Sequence, residues 1–319
     1  MNPFDAWWRG VRRVVSAPSL VVGVWALTTL VSLPLTLALR ADIEASLGQS
    51  LAADPAARGM NYEWMQEFAR QSTGLATTLR PDVVGFSAVL DNLSAFVDNV
   101  PRPAAVAAAS GVYVLLWLFL AGGIISRYAG DEAAPMRGFF SACRRYFFRF
   151  VRLGILTALV YGLLFGALHP LLFTRVYPRL VGGVGVERTA FMIRGGLYLV
   201  FVLLLAAANI VFDYAKIRAV VEDRRSMLVA LAASWRFIVR HPAGAVGVYL
   251  LDAALFLATL VAYAFVAPGG GGIGVMAWAA VVIGQAYIAG RLCVKLLFWA
   301  SETAFVEATL KGSRYEGRT

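Results

Sequence analysis

The chain has 319 residues, 60% of them hydrophobic and only 15% charged, with a mean hydropathy of +0.70. Soluble domains are roughly 45–50% apolar and about 25% charged, so a single water-facing core cannot absorb this excess and a lipid environment is implied. The net charge of +10 does not point to nucleic acid, since the basic residues flank apolar runs and no nucleic-acid-binding signature is present; at the ends of membrane spans such residues meet anionic head groups.

Residues 1–18 mix Trp7, Trp8 and Val14 with Arg9, Arg12 and Arg13. That pattern predicts an amphipathic helix lying in the cytoplasmic interface. The apolar run 19–39 follows. Its 21 residues exceed the signal-peptide core of about 7–15 and no A-x-A pattern follows closely, so a retained signal anchor is expected. Segment 40–103 is the one substantial piece outside the apolar runs. Ile43, Leu47 and Leu51 form one apolar stripe, Trp64, Met65 and Phe68 a second, and Phe86, Leu90, Leu93 and Val97 a third. These predict three short helices forming a small extracytoplasmic cap, the second opened by Asn61 as N-cap and the third following Arg80-Pro81.

Five more apolar runs follow, 104–125, 153–173, 195–212, 243–266 and 274–298, the last turning amphiphilic past Arg291 and Lys295. Crossing about 30 Å of hydrocarbon takes roughly 20 helical residues, and only helices satisfy their own backbone there. Segments 126–152 and 213–242 read as amphipathic cytoplasmic connections, and 299–319 as a cytoplasmic tail. In the third run, Gly162 and Gly166 form a GxxxG step, expected to admit a neighbouring helix closely. The run Gly269–Gly274 matches a dinucleotide-loop pattern only because it is nearly all glycine, and it is expected to be a hairpin turn. The fold class is therefore all-α, a polytopic membrane protein with six transmembrane helices.

Orientation follows from Lys and Arg. With the N-terminus inside, the inner segments carry three, six, six and five basic residues, and the outer ones nine, of which five lie in the long loop. Both termini are therefore expected in the cytoplasm. The connection bearing Arg175, Arg179, Arg188 and Arg194 against Glu187 runs counter to this, but the reverse orientation strands more charge. Only Lys216, Lys295 and Lys311 are lysines, a bias that fits a GC-rich bacterial genome and hence a bacterial inner membrane.

The three inner approaches share a theme of aromatics and arginines just ahead of a span. They place Arg12, Arg13, Arg144, Arg145, Arg236 and Arg240 against lipid head groups. Sliding 12–27 onto 236–251 matches Arg12, Val15, Pro18, Val22, Gly23, Val24 and Leu27 with identical residues, seven positions in 16. A middle copy aligns more weakly, with Gly154 opposite Gly23. The implied unit is an interfacial helix, a span, an outer connection and a returning span, used three times as pseudo-repeated hairpins. This layout, with a fourth span running into "DYAKIRAVVEDRRS", resembles a family of uncharacterised six-span bacterial inner-membrane proteins. More loosely it is similar to the membrane domain attached to some glycerophosphodiester phosphodiesterases. The resemblance implies membrane residence and brings no catalytic residue.

Chemistry is sparse. Cys143 and Cys293 form no CxxC pair, and His169 and His241, each before a proline, fall near opposite faces of the membrane. No metal, cofactor or catalytic set is expected. Inside the spans stand Tyr161, Asn209, Asp213, Asp252, Gln285, Arg291 and Lys295. Asp252 and Arg291, each estimated about 10–14 Å deep on helices joined by the glycine turn, are expected to form an ion pair. The alternative is a polar pocket of Asn209, Asp213, Asp252, Gln285 and Arg291. Two functions remain open. One is a non-enzymatic scaffold, sensor or accessory protein whose partners are membrane lipids and an unidentified membrane protein. The other is a transporter or lipid-handling permease working around Asp252.

Overall fold

A chain in hydrocarbon must bond every peptide group internally, and this one does so with helices. The computed structural model describes residues 2–48, 50–59, 61–80, 83–130, 136–269 and 274–316. Among them every regular element is helical, and six helices are long and apolar enough to cross a membrane. The order is α1 (Pro3–Val15), α2 (Pro18–Leu47), α3 (Ala53–Arg58), α4 (Tyr62–Gln71), a 3₁₀ turn (Gly74–Thr78), α5 (Phe86–Val97), α6 (Ala104–Ala129), α7 (Met136–Leu163), α8 (Tyr177–Val181), α9 (Glu187–Val221), α10 (Met227–Arg240), α11 (Pro242–Val266) and α12 (Val275–Glu316). Residues 270–273 of the glycine-rich run and Pro81 lie outside the described residues.

The chain divides into two compact units. One comprises Met1–Arg13, Trp117–Leu251 and Phe298–Thr319, the other Val14–Leu116 and Asp252–Leu297.

In the first unit, α6 and α7 approach closely because α6 presents two adjacent glycines. A Cβ on Gly122 would lie 2.8 Å from the Tyr146 Cβ, and one on Gly123 2.5 Å from the Cys143 sulfur. The GxxxG step expected to serve this purpose does not: nothing lies within 4 Å of a Cβ on Gly162 or Gly166. The helix that carries the third span runs on past residue 173. Helix α7 continues through two π-turns, Leu164–Leu168 and Leu171–Val176, into α8. Pro170 has no N–H to donate, and widened turns around it re-satisfy the ladder.

Two helix junctions are alike. Ala17, between α1 and α2, has φ −124° and ψ 56°, and His241, between α10 and α11, has φ −131° and ψ 53°. Each precedes a proline, whose ring drives the preceding residue out of the helical region and breaks the helix within one residue. Slid into the middle copy, the same position is followed by Arg149 instead of proline. There the amphipathic segment and the span fuse into the single helix α7.

The C-terminus is also more regular than its polar residues suggest. Residues 299–316 continue α12, and Trp299, Ala300, Ala304, Phe305 and Val306 are buried. Helix α1 packs on this part of α12. A Cβ on Gly10 would meet the Ser301 backbone at 2.7 Å, and Arg13 reaches Glu307 at 2.7 Å.

In the second unit, α4 is capped as expected, with the Asn61 side chain accepting from the Trp64 N–H at 3.1 Å and Met65 and Phe68 buried. The first predicted helix of segment 40–103 does not form separately. Ile43 and Leu47 extend α2, and Leu51 lies beyond it, fully exposed. Asp91 of α5 gathers Arg80 at 2.7 Å and Arg102 at 3.1 Å. Gly85, at φ +62°, passes against the Pro268 carbonyl, where a Cβ would come within 2.3 Å. Helices α11 and α12 are antiparallel neighbours: Tyr263 and Tyr287 stack at 4.0 Å, and a Cβ on Gly290 would touch Thr259 at 3.5 Å.

Gly10→Ala forces α1 away from the α12 backbone and should cost about 1–3 kcal/mol. Gly23→Ala, with no atom within 4 Å of its new Cβ, should leave stability unchanged or slightly raised. Thermal unfolding in detergent measures both.

Candidate functional site

Helix α9 carries Asn209, Asp213 and Lys216 at the i, i+4 and i+7 positions of one face. The structure gathers them. The Asp213 carboxylate accepts from Lys216 Nζ at 2.7 Å, from Asn209 Nδ2 at 3.1 Å and from the indole Nε1–H of Trp299 at 3.1 Å. The Lys216 ammonium also lies 5.4 Å over the Trp299 ring, and the Asn209 amide reaches the Tyr249 hydroxyl at 3.5 Å. Asp213 is buried and Lys216 half-buried. A desolvated carboxylate needs this number of donors, because each unanswered lone pair in a low-dielectric interior is costly. The result is a polar knot tying α9 to α12, with α11 brought in through Tyr249. Glu302, on the same stretch of α12 as Trp299, is also wholly buried.

The other expected members of a pocket, Asp252, Gln285 and Arg291, belong to the second unit. Gln285 accepts from the indole of Trp25 at 2.9 Å. Arg291 is exposed and lays its guanidinium 5.7 Å from the Tyr287 ring centre, while Asp252 is wholly buried. The register across the hairpin bears on the pair expected between them. With Thr259 across from Gly290 and Tyr263 across from Tyr287, Arg291 stands opposite Ala258, and Asp252 lies about 9 Å further along the helix. The depth expected for Arg291 assumed that the sixth helix ends near residue 298, whereas α12 runs to Glu316.

The six arginines expected at head groups separate into two sets. Arg12, Arg144, Arg236 and Arg240 are exposed. Arg13 is drawn into its pair with Glu307, and Arg145 into a clamp on Asp223. Asp223 closes α9 in a Schellman turn, with φ 49° and the Arg224 N–H bonded to the Ala219 carbonyl at 3.0 Å. An aspartate tolerates that left-handed position better than most residues. The turn aims its carboxylate at Arg145, 2.7 Å, and Arg149, 2.8 Å, whose guanidinium groups flank the Tyr146 ring. The Arg149 hydrogen bond, together with the charges of both arginines, holds the Asp223 carboxyl below its ordinary value.

Sequence reasoning missed Lys216, Trp299, Glu302 and Glu307 as partners. The signal was present: apolar residues continue at helical spacing through Leu296, Ala300, Ala304 and Val306, so the acids among them had to face protein. No three His, Cys, Asp or Glu side chains among the described residues are grouped to hold a metal ion. Compared with protein families, curated proteins and solved structures, the chain matches none.

Asp213→Asn leaves the half-buried ammonium without its counter-charge and should cost roughly 1–3 kcal/mol, while Trp299→Phe, losing one donor, should cost about 1 kcal/mol. Both are read from unfolding midpoints in detergent. For Asp223 the native carboxyl titrates below the unfolded one. Its stabilisation is therefore complete above the unfolded carboxyl range and disappears as pH falls through the lowered native value. Asp223→Asn should flatten that acid limb in a plot of melting temperature against pH.

Proposed function

We propose that this chain is a non-enzymatic membrane protein of the bacterial inner membrane, with both termini cytoplasmic, that works as a scaffold or sensor in contact with anionic lipid. The observation that carries the reading is the state of Asp213. An acid that loads and releases a proton or solute needs a free coordination position, and this one is already engaged by an ammonium, an amide and an indole. The exposed arginines Arg12, Arg144, Arg236 and Arg240, on helices that also expose Trp8, Phe140, Trp235 and Val239, support a head-group surface at the cytoplasmic face. The matched backbone at Ala17 and His241 supports descent of the first and third hairpins from one repeated unit. The likeness to uncharacterised six-span bacterial proteins fits this role and adds no chemistry to it.

One observation favours a permease instead: Asp252, wholly buried, is the only charged residue of α11. A water-filled route to that carboxylate would make it a working group. The two readings separate by labelling. With Cys143 and Cys293 replaced by serine, Asp252→Cys in membranes should stay unmodified by a membrane-impermeant maleimide under the scaffold reading. Labelling as fast as an Arg12→Cys control establishes the permease. Reporter fusions should place residues 2 and 316 on the same, cytoplasmic, face, and opposite faces refute the topology.

A further inference from the structure

One cavity of about 960 Å³ is set among α10, the start of α11 and the last turns of α12. Among the described residues its lining includes Arg218, Arg224, Arg236, Arg240 and His241, and no acidic side chain. Arg218 and Arg224 are already engaged by Glu222, and Arg218 also donates to the Ala233 carbonyl. Arg236 and Arg240 are different. They stand at i and i+4 on one face of α10, both exposed, and neither enters an ion pair among the described residues. Two guanidinium groups at that spacing converge on one anion. The junction residue His241 lies beside them, its ring nitrogen Nδ1 3.2 Å from the Phe237 carbonyl. Ala243 and Gly244, in the first turn of α11, also line the space.

The remaining wall is apolar. Val229, Phe237, Phe305 and Ala308 face the cavity, and α10 exposes Leu228, Trp235 and Val239 beside it. A free inorganic anion has no use for such a wall, whereas an amphiphile does. The sequence comparison sharpens the point. Arg12 matches Arg236, but Ser16 and Ala17 stand where Arg240 and His241 do. At the matched positions the first hairpin therefore keeps the first of the two arginines and lacks the second arginine and the histidine.

We propose that this cavity is a binding site for the phosphate of an anionic glycerophospholipid, with Arg236 and Arg240 on the phosphate and the glycerol and first methylenes against Phe237 and Phe305. The proposal rests on the membrane-lipid reading above and assigns it a particular place.

The test uses the full-length protein in nanodiscs of phosphatidylcholine doped with fluorescent phosphatidylglycerol, read as energy transfer from protein tryptophan and as lipid retained through delipidation. The wild type should retain the anionic lipid. Arg236→Gln with Arg240→Gln should weaken retention roughly tenfold, while Arg12→Gln with Arg144→Gln changes it by less than about twofold. Arg236→Lys with Arg240→Lys keeps the charge and should recover most of the loss, which separates lost binding from lost folding. Added inorganic phosphate should not displace the lipid. Displacement by phosphate would make the cavity a free-phosphate site and overturn the proposal. Equal losses for both Gln pairs would overturn the site but leave the head-group surface standing. No preference for the anionic lipid even in the wild type would overturn the head-group reading itself.

Discussion

An aspartate inside a membrane helix must be answered on all sides, and much of this structure is arranged around doing that for Asp213. An ammonium from the next turn of its own helix answers the charge. An amide one turn back takes the second oxygen, and an indole from α12 completes the set. The energetic benefit of each contact is modest, about 0.6–1.5 kcal/mol. The penalty for leaving one out is larger, because a carboxylate desolvated without donors is worse than no carboxylate at all. That asymmetry makes the knot a specificity device. It fixes which face of α9 meets α12 and, since helix neighbours in lipid gain little from apolar burial alone, it selects one arrangement among many of similar packing energy.

The same rule explains what was legible in the sequence and what was not. Span number and helical class follow from length and hydropathy, because hydrocarbon leaves the backbone no alternative. Asn61 was readable as a cap because capping is local chemistry, three residues wide. Asp213 and Asn209 were readable as neighbours because four residues on a helix is also local. The level of Arg291 relative to Asp252 was not readable, since its estimate depended on where α12 ends. The chain continues helical for some 18 residues past Phe298, and an error in a helix end displaces every residue paired across the hairpin. The glycines teach a related lesson. Gly162 and Gly166 have the spacing of a packing motif but face open space, whereas adjacent Gly122 and Gly123 carry the close approach. Spacing says that a helix could be approached, and only the neighbours decide whether it is.

Proline placement links the local and the global. At Pro18 and Pro242 the residue before the ring is driven out of the helical region, and an amphipathic helix can then turn sharply into a long apolar one. Without that proline, α7 crosses the same boundary in one piece, and its basic face is held by the Asp223 clamp instead. The two solutions have different consequences. The continuous helix α7 turns Arg145 and Arg149 onto Asp223, while Arg144 stays exposed. At the broken joint before Pro242 a cavity lies against the start of α11, and Arg236 and Arg240 enter no ion pair among the described residues.

That space is kept open by what lies across from it. A Cβ at Gly244 would sit 2.1 Å from the tip of the Phe305 ring, so the ring can occupy its place only because the third residue of α11 is glycine. Phe305 in turn packs edge-on to Phe237, 5.7 Å away, and the Arg218 guanidinium lies 5.5 Å over that second ring. The aromatic pair therefore supports the wall of the basic cavity and spaces α10 from α12, while Glu222 draws Arg218 and Arg224 back from its centre. The two arginines left facing it, Arg236 and Arg240, belong to the helix that also exposes Leu228, Trp235 and Val239. The joint that bends the chain between α10 and α11 therefore has both the charge and the room that the proposed phospholipid site requires.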